Sequence, residues 1–366
     1  MSPIPDPIEA VSQRLIAFFA EQRDVARAEG PEAISFVEAG ARAVGGGKRL
    51  RARFCVTGWR AVAEAGGRRP GPVPPEVIAA AAALEIFQAA ALVHDDLIDN
   101  SDTRRGRPSA HRALEAGHQD AGWIGDAATF GRSAAILLGD LLVAWSDDLL
   151  EGGLAGVADT ARAATARRDY AVMRRDVTVG QFLDIAEEAA FRQSPDSEHA
   201  ARALRVASLK SARYSVQQPL LMGAALAGAD QEQRDALAAF GHPVGLAFQL
   251  RDDVLGVFGD AAVTGKPSGD DLREGKRTVL IAYARESLPA GARHTIDELV
   301  GDPLLDDDQV AALQRTIVES GALARVEKLI AGYAADADRA LRGARLGDAA
   351  VGELRDLTRA ATNRSS

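Results

Sequence analysis

Val77-Ile78-Ala79-Ala80-Ala81-Ala82-Ala83-Leu84-Glu85-Ile86-Phe87-Gln88-Ala89-Ala90-Ala91-Leu92-Val93-His94-Asp95-Asp96-Leu97-Ile98-Asp99 is the stretch on which the fold turns. Pro74-Pro75 stands before it, and proline suits a helix's first turn, where its missing N–H breaks no hydrogen bond. Alanine and leucine are strong helix formers. The spacing predicts a helix from 75 to about 99. Its apolar run, 77–93, is broken by Glu85 and Gln88, so it reads as a buried helix of a soluble protein and not as a membrane span.

The pattern stays helical on both sides of this run. An amphipathic helix is expected over 8–28, and further helices over 134–150, 169–190, 198–227, 231–258, 277–286, 307–319 and 323–341. No sustained period-two alternation marks a strand. Gly106-x-Pro108 breaks the chain after the first acidic run. Residues 66–75 read as a loop, as does 258–275, with Gly259, Gly265, Pro267, Gly269 and Gly275. No Pro/Gly/Ser-rich linker divides the chain, which reads as one all-α domain, 1–366, with frayed ends at 1–7 and 358–366.

Composition agrees: hydrophobic residues make up 47% but aromatics only 5%, as in closely packed Ala/Leu helices. The net charge of −9 speaks against a nucleic-acid partner, which favours basic surfaces. It leaves room for a phosphate ligand, because a bound metal ion inverts the local charge. Cys55 is the only cysteine, which excludes an intrachain disulfide and fits a reducing cytosol. The first ten residues lack the basic start and apolar core of a signal peptide. A cytoplasmic protein without stable membrane insertion is expected.

Asp95 and Asp99 stand at i and i+4, which puts them on one helix face, about 6 Å apart along the axis. Two carboxylates so close repel each other, and their apolar flank adds a desolvation cost. A divalent cation removes both penalties. Mg²⁺ suits best, since it takes oxygen ligands and keeps waters while bridging to phosphates. The plainer alternative is a helix end exposing carboxylates to water. Arg104-Arg105-Gly106-Arg107-Pro108 follows at once. Three carboxylates and three arginines make a poor packing element but a good clamp for a metal-bound diphosphate. A solvated charged loop is the alternative. The second cluster is Gln249, Asp252 and Asp253, at helical spacings of three and four, trailed by Lys266, Asp270, Asp271 and Lys276. Alone, this acid pair reads as easily as surface. His94 reads as a polar residue near a cavity mouth, Asp140 as a helix-pair hydrogen bonder, Asp147-Asp148 as surface, and Trp59, Trp123 and Trp145 as packing. His111 and His118 lack partners at zinc-like spacing.

Together these pieces resemble the trans-prenyl diphosphate synthases. The resemblance is carried by Gly46-Gly47-Lys48-Arg49-Leu50-Arg51, Gln88, residues 94–108, Gly180-Gln181-x-x-Asp184, Lys210-Ser211, residues 248–260 and residues 264–276, in family order over roughly 40–285. It implies a bundle of long antiparallel helices around a deep cavity, commonly a homodimer. It also implies three Mg²⁺ ions, with Mn²⁺ able to replace them. By position, Asp95, Asp99 and Asp252 would ligate metal, with Asp96 in support. Arg104, Lys210 and Lys266 would grip an allylic diphosphate beside Gln249, while Lys48, Arg51, Gln88 and Arg105 would hold isopentenyl diphosphate. Gln181, Ser211, Asp253 and Lys276 fall in the same substrate-binding motifs.

Two positions depart from the family: Gly256 stands where the second motif usually has a third Asp, and Ser211 where Thr is common. Product length would be set by residues upstream of Asp95. Ala90 and Ala91 leave the floor open and Phe87, one turn deeper, would close it at C20, unless Val172 and Met173 form the floor instead. Farnesyl or longer products (C25 and above) are the alternatives. A class I terpene cyclase is a further rival, but it would not need Lys48, Arg51, Gln88 and Arg105. A weakly active partner subunit is another, supported only by Gly256.

Overall fold

In a computed structural model of the chain, residues 6–67, 71–104, 106–259 and 268–362 are described. Nearly all of them are helical. The order is α1 (Pro7–Ala26), α2 (Pro31–Val44), α3 (Leu50–Ala65), α4 (Pro75–Ile98), β1 (Thr103–Arg104), β2 (Arg107–Pro108), α5 (Ala110–Asp120), α6 (Ala127–Leu154) and α7 (Thr160–Ala190). Then come α8 (Asp196–Val206), a π-helical segment (Ala207–Gln217), α9 (Gln218–Ala227) and α10 (Gln231–Phe258). The chain closes with α11 (Asp270–Glu274), α12 (Val279–Ser287), α13 (Ala290–Leu299), α14 (Asp307–Glu319), α15 (Ala322–Ala340) and α16 (Asp348–Thr362). Contacts divide the chain into two compact units, 1–166 with 222–228, and 167–221 with 229–366.

The first unit is built on α4, whose residues 77–87 are all buried, with Pro75 at its first position. Its most apolar window is 78% buried, as a core helix requires. α6 lies along it, where Ser146 Oγ donates to Ala83 O at 2.6 Å. Phe18, Phe19 and Trp145 meet edge to face with centroids 5.6–6.2 Å apart. Cys55 is fully enclosed, and burial pushes its thiol up to about 12. α6 is the exception: its apolar window is only 33% buried, leaving Ile136 and Leu137 51% and 61% exposed.

The second unit is built on α10, which an Asp230–Gln233 capping box starts. Leu250, Val254 and Val257 on this helix pack with Leu272, Leu280, Ile317, Val326 and Ile330.

Several boundaries differ from expectation. Among the described residues one small antiparallel pair exists, β1 with β2, where no strand was expected; it pairs Thr103 with Pro108 and Arg104 with Arg107 around Gly106. The C-terminus is not frayed at 358–362: α16 runs to Thr362, with Thr358 and Thr362 buried. The 198–227 helix is three pieces, the middle one π. α2, α3, α5, α13 and α16 were not anticipated, and α11 interrupts the 258–275 loop.

Candidate active site

α4 ends in the first acidic cluster. Asp95 and Asp96 sit in its last turn and Asp99 is its C-cap, its N–H donating to Asp95 O at 2.8 Å. Asn100 then takes a left-handed φ of 52°, which turns the chain into the β1–β2 pair. That pair returns Arg104 to the helix end. Its Nε donates to Asp96 Oδ1 at 2.8 Å; Nη2 also bonds Asp96 and approaches Asp95 Oδ2 at 3.5 Å. Asp96 is 3% exposed. Burial works against the Arg104 charge, but the hydrogen bond and charge of Asp96, with Asp95 and Asp99, outweigh it and raise its pKa above the ordinary value. His94 packs on α6, 3.3 Å from Ile136 O and 3.5 Å from Asp140 Oδ1. Gly139 makes this possible, since a Cβ there would lie 2.1 Å from His94 Nε2.

The glycine-rich loop before α3 brings three cations together. Gly46 and Gly47 have φ of 75° and 83°, and Arg49 a left-handed 51°. A side chain in that conformation is strained and needs outside support. Arg49 Nη1 donates to Val44 O at 2.9 Å and to Glu85 Oε2 at 3.4 Å. Glu85 also accepts the Ala52 N–H at 3.1 Å, in the first turn of α3. So a buried glutamate of α4 holds the loop that carries exposed Lys48 and half-buried Arg51. Gln88 lies one turn further along α4, half-buried. Phe87 and Ala90 are buried and Ala91 half-buried.

In the second unit, Lys210 and Ser211 lie in the π-helical segment. π turns concentrate at functional sites. Two glycines let neighbouring backbones close on this one: a Cβ on Gly180 would lie 2.4 Å from Lys210 N, and one on Gly245 2.5 Å from Ala212 Cα. Gly180 thereby sets half-buried Gln181 beside the segment, and Lys210 Nζ donates to Asp184 Oδ2 at 2.6 Å. On α10, Gln249 Nε2 donates to Asp253 Oδ1 at 2.6 Å. Burial, then the charges of Asp271, Asp252 and Asp184, push Asp253 up to about 8 against that hydrogen bond. Lys276 Nζ stands 3.4 Å from Asp271 and 2.5 Å from Glu274.

Gly256 is explained by this crowding. A Cβ at 256 would lie 2.0 Å from Asp271 Oδ2, so Asp271 occupies the room that a side chain at 256 would need.

Among the described residues, no three acidic, histidine or cysteine side chains form a ready-made metal cage. Mg²⁺ does not need one, because it binds through one or two carboxylates, waters and substrate phosphates. Asp253, Asp252, Asp271 and Asp184 lie close enough for their charges to add to the burial that raises Asp253, and carboxylates clustered in this way are a donor set that fits such a hard cation. The structure thus gathers Asp95, Asp96, Asp99 and Arg104 in one unit, and Lys210, Gln249, Asp252, Asp253 and Lys276 in the other. Arg105 and Lys266 lie outside the described residues. Sequence reasoning missed Glu85, read only as a break in an apolar run, and the positions of Asp184 and Asp271; a buried acid facing a Gly-Gly-Lys-Arg loop was the available signal.

The chain matches the polyprenyl synthetase family over residues 36–317. It is 32% identical over 278 residues to a geranylfarnesyl diphosphate synthase of Aeropyrum pernix, covering 76% of this chain and 77% of that one. It is 30% identical over 235 residues to a short chain isoprenyl diphosphate synthase of Methanocaldococcus jannaschii, spanning 64% of each. The crystal structure of a geranylgeranyl pyrophosphate synthase from Corynebacterium glutamicum, complexed with isoprenyl diphosphate and magnesium, superposes with a TM-score of 0.90 at 37% identity, over 98% of both chains. With the helical fold and the two acidic clusters, these likenesses make the chain a member of the polyprenyl synthetase family of trans-prenyltransferases.

Proposed function

We propose that the chain condenses an allylic diphosphate with isopentenyl diphosphate to give C20 geranylgeranyl diphosphate, acting as one domain within a cytoplasmic homodimer. The gathering of Asp252, Asp253, Asp271 and Asp184 in one charge-coupled cluster, with Lys210 and Lys276 bonded to its acids, is the observation that carries this reading, since clustered carboxylates call for a cation. Asp95, Asp99 and Asp252 hold three Mg²⁺ ions, which Mn²⁺ can replace, and Asp96 keeps Arg104 in place. Bound metal neutralises charge on the leaving diphosphate. Arg104, Lys210 and Lys266 take up the rest of that charge, with Lys276 nearby. Lys48, Arg51, Gln88 and Arg105 hold the second diphosphate, and Gln181, Ser211, Gln249 and Asp253 line the site. The allylic C–O bond breaks with its electron pair on the diphosphate. The isopentenyl double bond supplies the pair for the new C–C bond, and the departing diphosphate accepts the proton then released. The Ala- and Leu-rich helices keep water from quenching the cation.

The C20 reading is supported by α4, where Ala90 and Ala91 are small and would leave room for the growing tail below Asp95, and buried Phe87, one turn deeper, would close it. Phe87→Ala is expected to lengthen the product, read by mass after incubation with labelled isopentenyl diphosphate. An unchanged length would place the floor elsewhere, at Val172 and Met173.

A further inference from the structure

The second unit holds a small cavity walled by Glu187, Phe191, His199, Arg277, Ile281 and Arg285. Its volume, about 10 Å³, admits one water-sized body. The walls carry an unusual density of charge, and almost all of it is paired. Arg202 holds Glu187 at 2.6 and 3.0 Å. Arg285 grips both oxygens of Asp297, at 2.6 and 2.9 Å, and reaches Asp196 at 3.0 Å. Arg293 also bonds Asp196. His199 Nε2 faces Phe191 O at 2.9 Å and Ser194 O at 3.1 Å, so it carries the proton, and Nδ1 accepts from Arg285 at 2.5 Å.

Arg277 is the exception. Its guanidinium carbon lies 3.7 Å from the Phe191 ring centroid, and Nη2 donates to Val300 O at 3.1 Å. Nε and Nη1 are buried without a hydrogen-bond partner. Asp297 stands 3.9 Å from Nη1, with both its oxygens already bonded to Arg285. Burial lowers Arg277 to about 10, with the like charges of Arg285 and Arg192 adding to it against the pull of Asp297 and Glu188. Two buried donors on a cation that lines this small cavity call for an acceptor that carries negative charge.

We propose that this cavity binds a single monatomic monovalent anion, chloride in solution, on Arg277 Nε and Nη1 with Arg285 behind it. A water would satisfy the two N–H groups but add no negative charge to a guanidinium whose ion-pair partner, Asp297, stands 3.9 Å from Nη1 and is already bonded to Arg285. Glu187 faces the anion, but its charge is offset by Arg202. The site has a structural reach into the second half-site: Arg277 lies between Lys276, which pairs with Asp271 and Glu274, and Thr278, the N-cap of α12. A filled cavity steadies the turn that carries Lys276.

Crystals soaked in sodium bromide test this directly, and an anomalous peak beside Arg277 Nε is expected. In solution, replacing gluconate by chloride at constant ionic strength should raise the Tm of the full chain, increasingly with chloride concentration. Arg277→Met should abolish that increment, and Ala282→Leu, which fills the cavity from its lining, should reduce it. A cavity holding water with no bromide signal overturns the proposal. So does a chloride increment equal in the parent and Arg277→Met. Should Arg277→Met fail to fold, the bromide map and Ala282→Leu still decide.

Discussion

Gly256 shows how one side chain can be replaced from a distance. Its neighbour Asp271 brings a carboxylate to within 2.0 Å of where a Cβ at 256 would sit. The glycine therefore does not weaken the second motif in the way its sequence suggests; it clears space for another acid. Gly256→Ala forces Asp271 aside within a buried, like-charged cluster. It is expected to lower stability by about 1–3 kcal/mol, the usual cost of overpacking, and to lower activity with it. Urea unfolding checks the first and steady-state rates the second; a variant with the parent's midpoint and rate would contradict this account. Asp271 was visible in the sequence as a loop acid, but its place against α10 was not. That depends on α11 lying against α10, which local spacing does not encode. Asp95, Asp96, Asp99 and Arg104 were legible because a short span of chain joins them.

At the scale of elements, the π-helical segment is the clearest departure from a pattern-based reading. Residues 198–227 read as one helix, because apolar spacing does not distinguish α from π over a few turns. What distinguishes them here is packing from outside: Gly180 and Gly245 admit backbones that a Cβ would exclude. Gly245→Ala would push against Ala212 Cα and shift Lys210 and Ser211. It should cut kcat on the order of tenfold or more, while far-UV circular dichroism stays near the parent's, because the helices around the segment remain. An unchanged kcat would show that the segment's geometry does not matter to the reaction. The helices that were legible have strong local signals: Pro75 at the start of α4, and capping boxes at Asp230 and Asp306. α2, α5 and α13 are short and carry charged residues, so their apolar spacing is too brief to stand out as a helical pattern.

At the scale of the whole molecule, α6 presents Ile136 and Leu137, 51% and 61% exposed, on a helix whose apolar window is only 33% buried. In the proposed homodimer a second copy of the chain would cover this face. Multi-angle light scattering should read twice the 38.5 kDa chain mass, and Leu137→Arg should shift it towards one chain; a parent of single-chain mass would contradict the dimer. The central claim, that the chain condenses an allylic diphosphate with isopentenyl diphosphate, has its most direct test in a single assay. The purified chain is incubated with dimethylallyl and isopentenyl diphosphates in Mg²⁺, with and without a chelator, and products are read by mass. The account predicts a prenyl diphosphate lengthened by five-carbon steps to C20, lost on chelation and in Asp95→Asn. No elongation from the paired substrates, or hydrocarbon formed from geranylgeranyl diphosphate alone, would contradict it.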